Sequence, residues 1–324
     1  MKAIICKKSG PSNVMELVDL PVPEPGPGQV RLRVESASVN FSDIMQRRGS
    51  VYPFDTAWPY RPGSEVAGVV DALGDDVDSL AVGTRVVALV GGTGNTGYSQ
   101  YCLADAHSTV PLPQSISADD GCGLMVAGVT AALLIRTLKP GQTVFIESAA
   151  GGVGTYAIQL AKRRGAASIY GGTTNASKQS TIAALGAVPV LQSGRWAHDV
   201  RGIDLYLSMR GGSLDDALSC LAPGGECVVY GTASGVPTLS PSSLVALLAR
   251  PALNQSLRAF NLGVALQTTP HLAHEALGEL FEGLATGTVA FPETHIYPLM
   301  DAPKAHDDLE NGVLAGKAVL RPWD

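Results

Sequence analysis

The segment Ser148-Ala149-Ala150-Gly151-Gly152-Val153-Gly154 carries the residue types needed to hold a pyrophosphate. Glycines let a backbone approach phosphate oxygens, and the N–H groups that open a helix present positive charge to them. The spacing Ala149-x-Gly151-x-x-Gly154 is a dinucleotide fingerprint with alanine in its first place, which makes Ala150, Gly151, Gly152, Val153 and Gly154 the candidate phosphate contacts. A plain turn would use the same glycines, so the surroundings decide. The apolar run Thr143-Val144-Phe145-Ile146-Glu147 before the loop reads as a strand. After it, Val153, Tyr156, Ala157, Leu160 and Ala161 recur at helical spacing.

A site for NAD usually carries an acid about 20 residues further on, at the end of the second strand, to bind the ribose 2′-hydroxyl. Here that strand ends Tyr170-Gly171-Gly172-Thr173-Thr174, followed by Ser177 and Lys178. A carboxylate would repel a 2′-phosphate, whereas two threonines, a serine and a lysine offer room, hydroxyl donors and a cation. Thr173, Thr174, Ser177 and Lys178 therefore point to NADPH, with Lys178 read as a phosphate partner ahead of the alternative, an ordinary solvated helix lysine.

The elements that must position this loop follow from the pattern along the chain. From about Ser117 to residue 285, short apolar strands alternate with helices and with Gly or Pro at the junctions, as in a doubly wound parallel sheet. The first third is β-rich, with Val30, Leu32 and Val34 on one strand face and a proline-rich connector, Pro21 to Gly28, that neither helix nor interior strand accepts. Strand signals return at His295 to Leu299 and Lys317 to Leu320. The predicted organisation is an α/β nucleotide domain, 118–285, inserted in a β-rich domain made of 1–117 and 286–324.

Composition sets the remaining bounds. The 324 residues exceed what one core usually serves, and 45% hydrophobic with 16% charged residues excludes a mostly disordered chain. A net charge of -6 gives no positive field for nucleic acid. The run Leu124 to Ile135 is shorter than a membrane helix requires and reads as a buried helix. Met1 to Lys8 shows no h-region with a cleavage site, and the five cysteines are scattered and odd in number, which suits free thiols in the cytoplasm.

Val39-Asn40-Phe41-x-Asp43 with Arg48-Gly49, Arg61-Pro62-Gly63-Ser64-Glu65-Val66-Ala67-Gly68, the loop Ala149 to Gly154, Ala222-Pro223-Gly224-Gly225 and Gly316-Lys317-Ala318-Val319-Leu320 together resemble the zinc-independent medium-chain dehydrogenase/reductases, specifically the zeta-crystallin-like quinone oxidoreductases. The resemblance spans nearly the whole chain. It implies a split GroES-like catalytic domain, a Rossmann domain between its halves, a cleft for NADPH, and homodimers or homotetramers. Related alcohol dehydrogenases hold zinc through a cysteine near the Asn40 segment, a Gly-His-Glu triplet and a later cysteine or acid. Gly63-Ser64-Glu65 and Val39-Asn40-Phe41 supply neither thiolate nor imidazole, and His271 and His274, one helical turn apart, lack a third ligand nearby, so no metal is expected.

The chemistry this implies is hydride transfer from NADPH to a quinone or to the C=C bond of an α,β-unsaturated carbonyl, with donors stabilising the enolate that develops. Tyr52 matches the family's active-site tyrosine and Asn40 its substrate- or nicotinamide-orienting amide, although a packed tyrosine and a turn-holding asparagine are open alternatives. Thr130, Gly231, Phe260 and Lys317 match positions that border the cofactor in relatives. Ser193 and Ser208 depart from the tyrosine and aspartate common there. Phe41, Tyr52, Trp58 and Tyr60 could stack on a flat acceptor, and the glycine-rich 91–97 loop could act as a lid. An enoyl reductase serving a polyketide-type intermediate is a second reading, and a non-catalytic, crystallin-like NADPH binder a third.

Overall fold

The computed structural model describes residues 1–50, 55–90, 97–249 and 253–324. Tyr52 and residues 91–96 of the glycine-rich loop lie outside these. Two compact units emerge, Met1–Val126 with Glu293–Asp324, and Ala127–Pro292.

The first unit is built on antiparallel strands. β1 (Lys2–Cys6) pairs with β2 (Met15–Asp19), and the prolines that follow keep the connector out of both. β3 (Gln29–Val39) is the spine. It pairs along one edge with β4 (Glu65–Leu73), which continues the sheet to β5 (Arg85–Leu89), while β6 (Tyr101–Asp105) takes the other edge of its first half and β7 (Thr109–Pro111) pairs with β5. Val30, Leu32 and Val34 are fully buried, as their alternation predicts. α1 (Phe41–Arg48) follows β3 directly, and the short α2 (Ala118–Gly121) leads to the second unit.

That unit opens with α3 (Val129–Ile135), whose side chains are almost all buried. The run Ala118–Ile135 is apolar enough to cross a membrane by composition, and 72% of it is buried within the protein, as expected of a core segment. β8 (Thr143–Ile146), β9 (Ser168–Thr173), β10 (Val188–Leu191), β11 (Ile203–Ser208), β12 (Leu221–Val229) and β13 (Ser256–Ala259) form one parallel six-stranded sheet in the order β10-β9-β8-β11-β12-β13, with α4 (Gly152–Arg163) between β8 and β9 in the chain. In sheet-internal numbering this is 3-2-1-4-5-6, the doubly wound order in which a dinucleotide lies outside the carboxyl ends of the strands where the winding reverses, between β8 and β11. Phe145 and Tyr206 stack at 4.7 Å with Trp196 against Phe145, so aromatic packing fixes β8 to β11 on one face. The chain then returns to the first unit: β14 (Thr294–Pro298) pairs in parallel with β15 (Lys317–Arg321), and β15 pairs with the last residues of β3.

Candidate active site

The glycine turn sits at the end of β8, where the winding reverses. Ser148 has φ of 51°, and Ala149, fully buried, hangs from β9 through its N–H to the Gly172 carbonyl at 3.0 Å. A Cβ on Gly154 would lie 2.5 Å from the Ala149 Cα. The third glycine is thus required for α4 to pack against the turn. Gly151 is the N-cap of α4 and no side chain caps the helix, which leaves the first N–H groups, those of Gly152, Val153 and Gly154, to an anion. Ala150 is buried beside them. This cradle fits a pyrophosphate.

At the end of β9, Thr173 is buried and its hydroxyl accepts from the Asn175 N–H at 3.1 Å. The Asn175 carboxamide oxygen accepts from both the N–H (3.0 Å) and the hydroxyl (2.8 Å) of Ser177. Asn175, which the sequence reading passed over, therefore shapes the turn that displays exposed Thr174 and Ser177 and half-buried Lys178; an asparagine two residues before Ser177 is an Asx-turn signal. Burial holds the Lys178 ammonium below the usual lysine pKa, so a dianionic phosphate beside it would restore the charged form.

On the other side of β8, Gly231 follows β12 and a Cβ there would meet the Met209 carbonyl oxygen at 2.5 Å, while the Phe260 N–H donates to the Val229 carbonyl at 2.8 Å. Thr130 is buried in α3. Glu147 is the residue that sequence reasoning missed. Its buried carboxylate accepts from the Tyr206 hydroxyl (2.9 Å), the Ser208 hydroxyl (3.1 Å) and the N–H groups of Met209 (2.9 Å) and Arg210 (3.0 Å). The only signal was an acid closing an apolar strand just before the glycines.

In the first unit, Asn40 caps α1 at the end of β3. Lys317, on β15, reaches back to place its ammonium 2.8 Å from the Asn40 Oδ1, 3.2 Å from the Val39 carbonyl and 3.5 Å from the Glu65 Oε1. Asn40 Nδ2 donates to the same Glu65 oxygen at 3.0 Å, and Glu65 Oε2 accepts from the Val126 N–H at 2.7 Å. The amide is held at both ends and cannot flip. All three side chains are buried, and Gly123 leaves room for the lysine stem, where a Cβ would lie 3.3 Å from its Cε. The Ser64 hydroxyl donates to Asp43. Among the described residues no group of three His, Cys, Asp or Glu side chains is arranged to hold a metal ion. Trp58 is exposed and edge-on to Tyr60, which is itself core.

Asp43 ties these segments together. Its carboxylate accepts from the N–H groups of Asn40 (2.9 Å) and Gly63 (3.2 Å) and from the Ser64 hydroxyl (2.7 Å). Behind it, Tyr98 lies 3.5 Å from Asp43 and 3.0 Å from the His306 Nε2, in helix Ala302–Glu310. Burial, reinforced by the Arg47 charge, pushes His306 down to about 3, and burial pushes Asp43 up to about 6. The two act with opposite sign. The raised Asp43 gives stability that is present below its ordinary value and lost as pH climbs through about 6, whereas His306 costs stability as pH falls below its ordinary 6.5, because only the unfolded chain takes the proton. A His306→Gln chain retains the Asp43 contribution, so the comparison isolates the histidine. Between pH 7 and pH 5 the wild type should lose about 2 kcal/mol relative to His306→Gln, read from urea midpoints at the two pH values; parallel losses would refute the assignment.

Comparison with known proteins agrees with this architecture. Residues 26–114 match the alcohol dehydrogenase GroES-like domain family, and residues 185–320 match the family described as zinc-binding dehydrogenase. The chain is 33% identical to a 2-haloacrylate reductase of a Burkholderia species over 99% of both proteins, and 30% identical to a quinone oxidoreductase of Pseudomonas aeruginosa over 97% of both. Among solved structures, Escherichia coli quinone oxidoreductase complexed with NADPH superposes with a TM-score of 0.90 at 26% identity, covering 99% of this chain and 100% of that one. With a GroES-like unit, a doubly wound parallel unit and identity of 33% and 30% sustained over 99% and 97% of both proteins, the chain belongs to the medium-chain dehydrogenase/reductase family, among its quinone oxidoreductases.

Proposed function

We propose that the protein is an NADPH-dependent reductase that adds hydride, without a metal, to a quinone or to the C=C bond of an α,β-unsaturated carbonyl compound. The observation that carries this reading is the pairing of an uncapped glycine turn with a second strand that ends in Thr173 and leads to Lys178, with no acid in the ribose position. When bound, NADPH supplies hydride from C4 of its nicotinamide ring. The chain's own part is to hold the pyrophosphate on Gly151 to Gly154 and the 2′-phosphate on Thr173, Thr174, Ser177 and Lys178. Thr130, Gly231, Phe260 and Lys317 are assigned to the remainder of the cofactor environment. Tyr52 is assigned as a donor to the oxygen that gains charge, where one aimed donor is worth about 2.7–4 kcal/mol, and Asn40, fixed by Lys317 and Glu65, as the amide that orients substrate or nicotinamide.

The metal-free reading is supported by the Lys317 ammonium lying against Asn40 and Glu65, since a fixed organic cation already balances the buried carboxylate. A homodimer or homotetramer is supported by two features, β13 as an edge of the parallel sheet and Leu244, Val245 and Leu248 exposed on helix Pro241–Ala249. Five buried free thiols suit the cytoplasm. The 2-haloacrylate reductase among the relatives extends the acceptor class to small unsaturated acids.

Mixing the protein with NADPH and a panel of quinones, 2-alkenals, haloacrylates and enoyl thioesters tests the proposal. Oxidation of NADPH on at least one acceptor is expected. Tight NADPH binding with no turnover on any would indicate the crystallin-like role instead. Cofactor choice gives a separate check: loss of a charge-assisted bond of about 1.5–3 kcal/mol means that Lys178→Ala weakens NADPH roughly ten- to 150-fold and leaves NADH nearly unchanged. Equal losses in titrations of both cofactors would remove the phosphate role.

A further inference from the structure

We propose that Glu147 is a positioning residue that sets the loop after β11 for the nicotinamide half of the cofactor, an inference that rests on the NADPH reading above. Glu147 is the first residue after β8, the strand from which the sheet winds in both directions. In this strand order the adenosine half belongs over β9 and β10, and the other half over β11 and β12. Glu147 sends its carboxylate across the switch. One oxygen takes the successive N–H groups of Met209 and Arg210 together with the Ser208 hydroxyl, and the other takes the Tyr206 hydroxyl, with Gln192 Nε2 at 3.4 Å.

The loop is gripped from the far side as well. Gly231 closes on the Met209 carbonyl, and a Cβ on Gly211 would lie 2.3 Å from the Gly235 oxygen. Met209 Sδ also lies 3.8 Å from the Ser148 hydroxyl, so the loop touches the glycine turn itself. A carboxylate satisfied by five donors in a buried setting holds its geometry firmly, whereas a neutral amide there keeps one acceptor oxygen for donors that converge from two sides and turns its own N–H groups toward the rest. Loss of the negative charge therefore lets residues 209–212 leave their position, while the β9 side of the site keeps the bonds of Thr173 with Asn175, of Asn175 with Ser177 and of the Gln192 N–H with the Thr173 carbonyl.

The test uses Glu147→Gln in the full-length protein. Adenosine 2′,5′-bisphosphate, which probes the adenosine side alone, is measured by calorimetry, NADPH by its nicotinamide fluorescence, and turnover at saturating NADPH. We expect the bisphosphate to bind within twofold of wild type, NADPH to weaken tenfold or more, and kcat to fall at least tenfold. Adding Ser208→Asp to Glu147→Gln should restore most of both, because a carboxylate at that position can accept the Arg210 N–H two residues on as an Asx turn. If Glu147→Gln does not fold, Glu147→Asp, which keeps the charge on a shorter arm, should show the same split with a smaller loss.

Unchanged NADPH binding and kcat, or equal loss of the bisphosphate and of NADPH, would overturn the proposal. Failure of the wild type to bind NADPH would strike the functional reading instead.

Discussion

Replacing Lys317 with methionine should cost about 3–5 kcal/mol of stability, because it leaves the Glu65 carboxylate, 0% exposed, without its cation. For a protein of 324 residues that corresponds to a fall in melting temperature of about 4–7 °C in calorimetry. The same substitution frees the Asn40 oxygen, so the folded enzyme that remains should also turn over more slowly. Adding Glu65→Gln removes the stranded charge and should recover most of the stability without the activity, since the amide of Asn40 still lacks its anchor. A small loss in the single variant, below about 1 kcal/mol, would mean that the pair is not coupled as the distances imply.

Gly154→Val should abolish cofactor binding in practice. The new side chain begins 2.5 Å from the Ala149 Cα and cannot be accommodated unless α4 moves away from the turn. Overpacking of this kind costs about 1–3 kcal/mol, and displacement of the first N–H groups removes the charge-assisted bonds to the pyrophosphate as well. The NADPH dissociation constant should rise by about 150-fold or more, equivalent to about 3 kcal/mol, and NADH should suffer equally because the pyrophosphate is common to both. This differs from the NADPH-selective loss expected for Lys178→Ala. Retention of wild-type affinity by Gly154→Val would place the nucleotide elsewhere.

What could be read from the sequence is what is local. Ala149 to Gly154 declared itself because the strand, turn and helix that give the glycines meaning are contiguous, and the missing acid at Thr173 is a statement about a single strand end. The β-rich flanks were legible from alternation, as at Val30, Leu32 and Val34. The grip of Lys317 on Asn40 was not, because the two are separated by 277 positions and nothing in either neighbourhood specifies the other. Glu147 was hidden for a different reason: a carboxylate at a strand end is ordinarily solvated, and only the return of β11 beside β8 buries it among donors. Tyr60, read as a possible platform for a flat ring, is core because its backbone pairs with Cys6 and its ring turns inward, a choice that alternation over so short a segment does not encode.

The most direct test of metal-free conjugate reduction follows one atom. Protein dialysed exhaustively against a chelator is given NADPH carrying deuterium at C4 of the nicotinamide and an α,β-unsaturated acceptor, and the product is analysed by NMR. Deuterium at the β carbon, at an undiminished rate, is the predicted result. Label on the carbonyl carbon, or activity that vanishes with the chelator and returns with zinc, would contradict it.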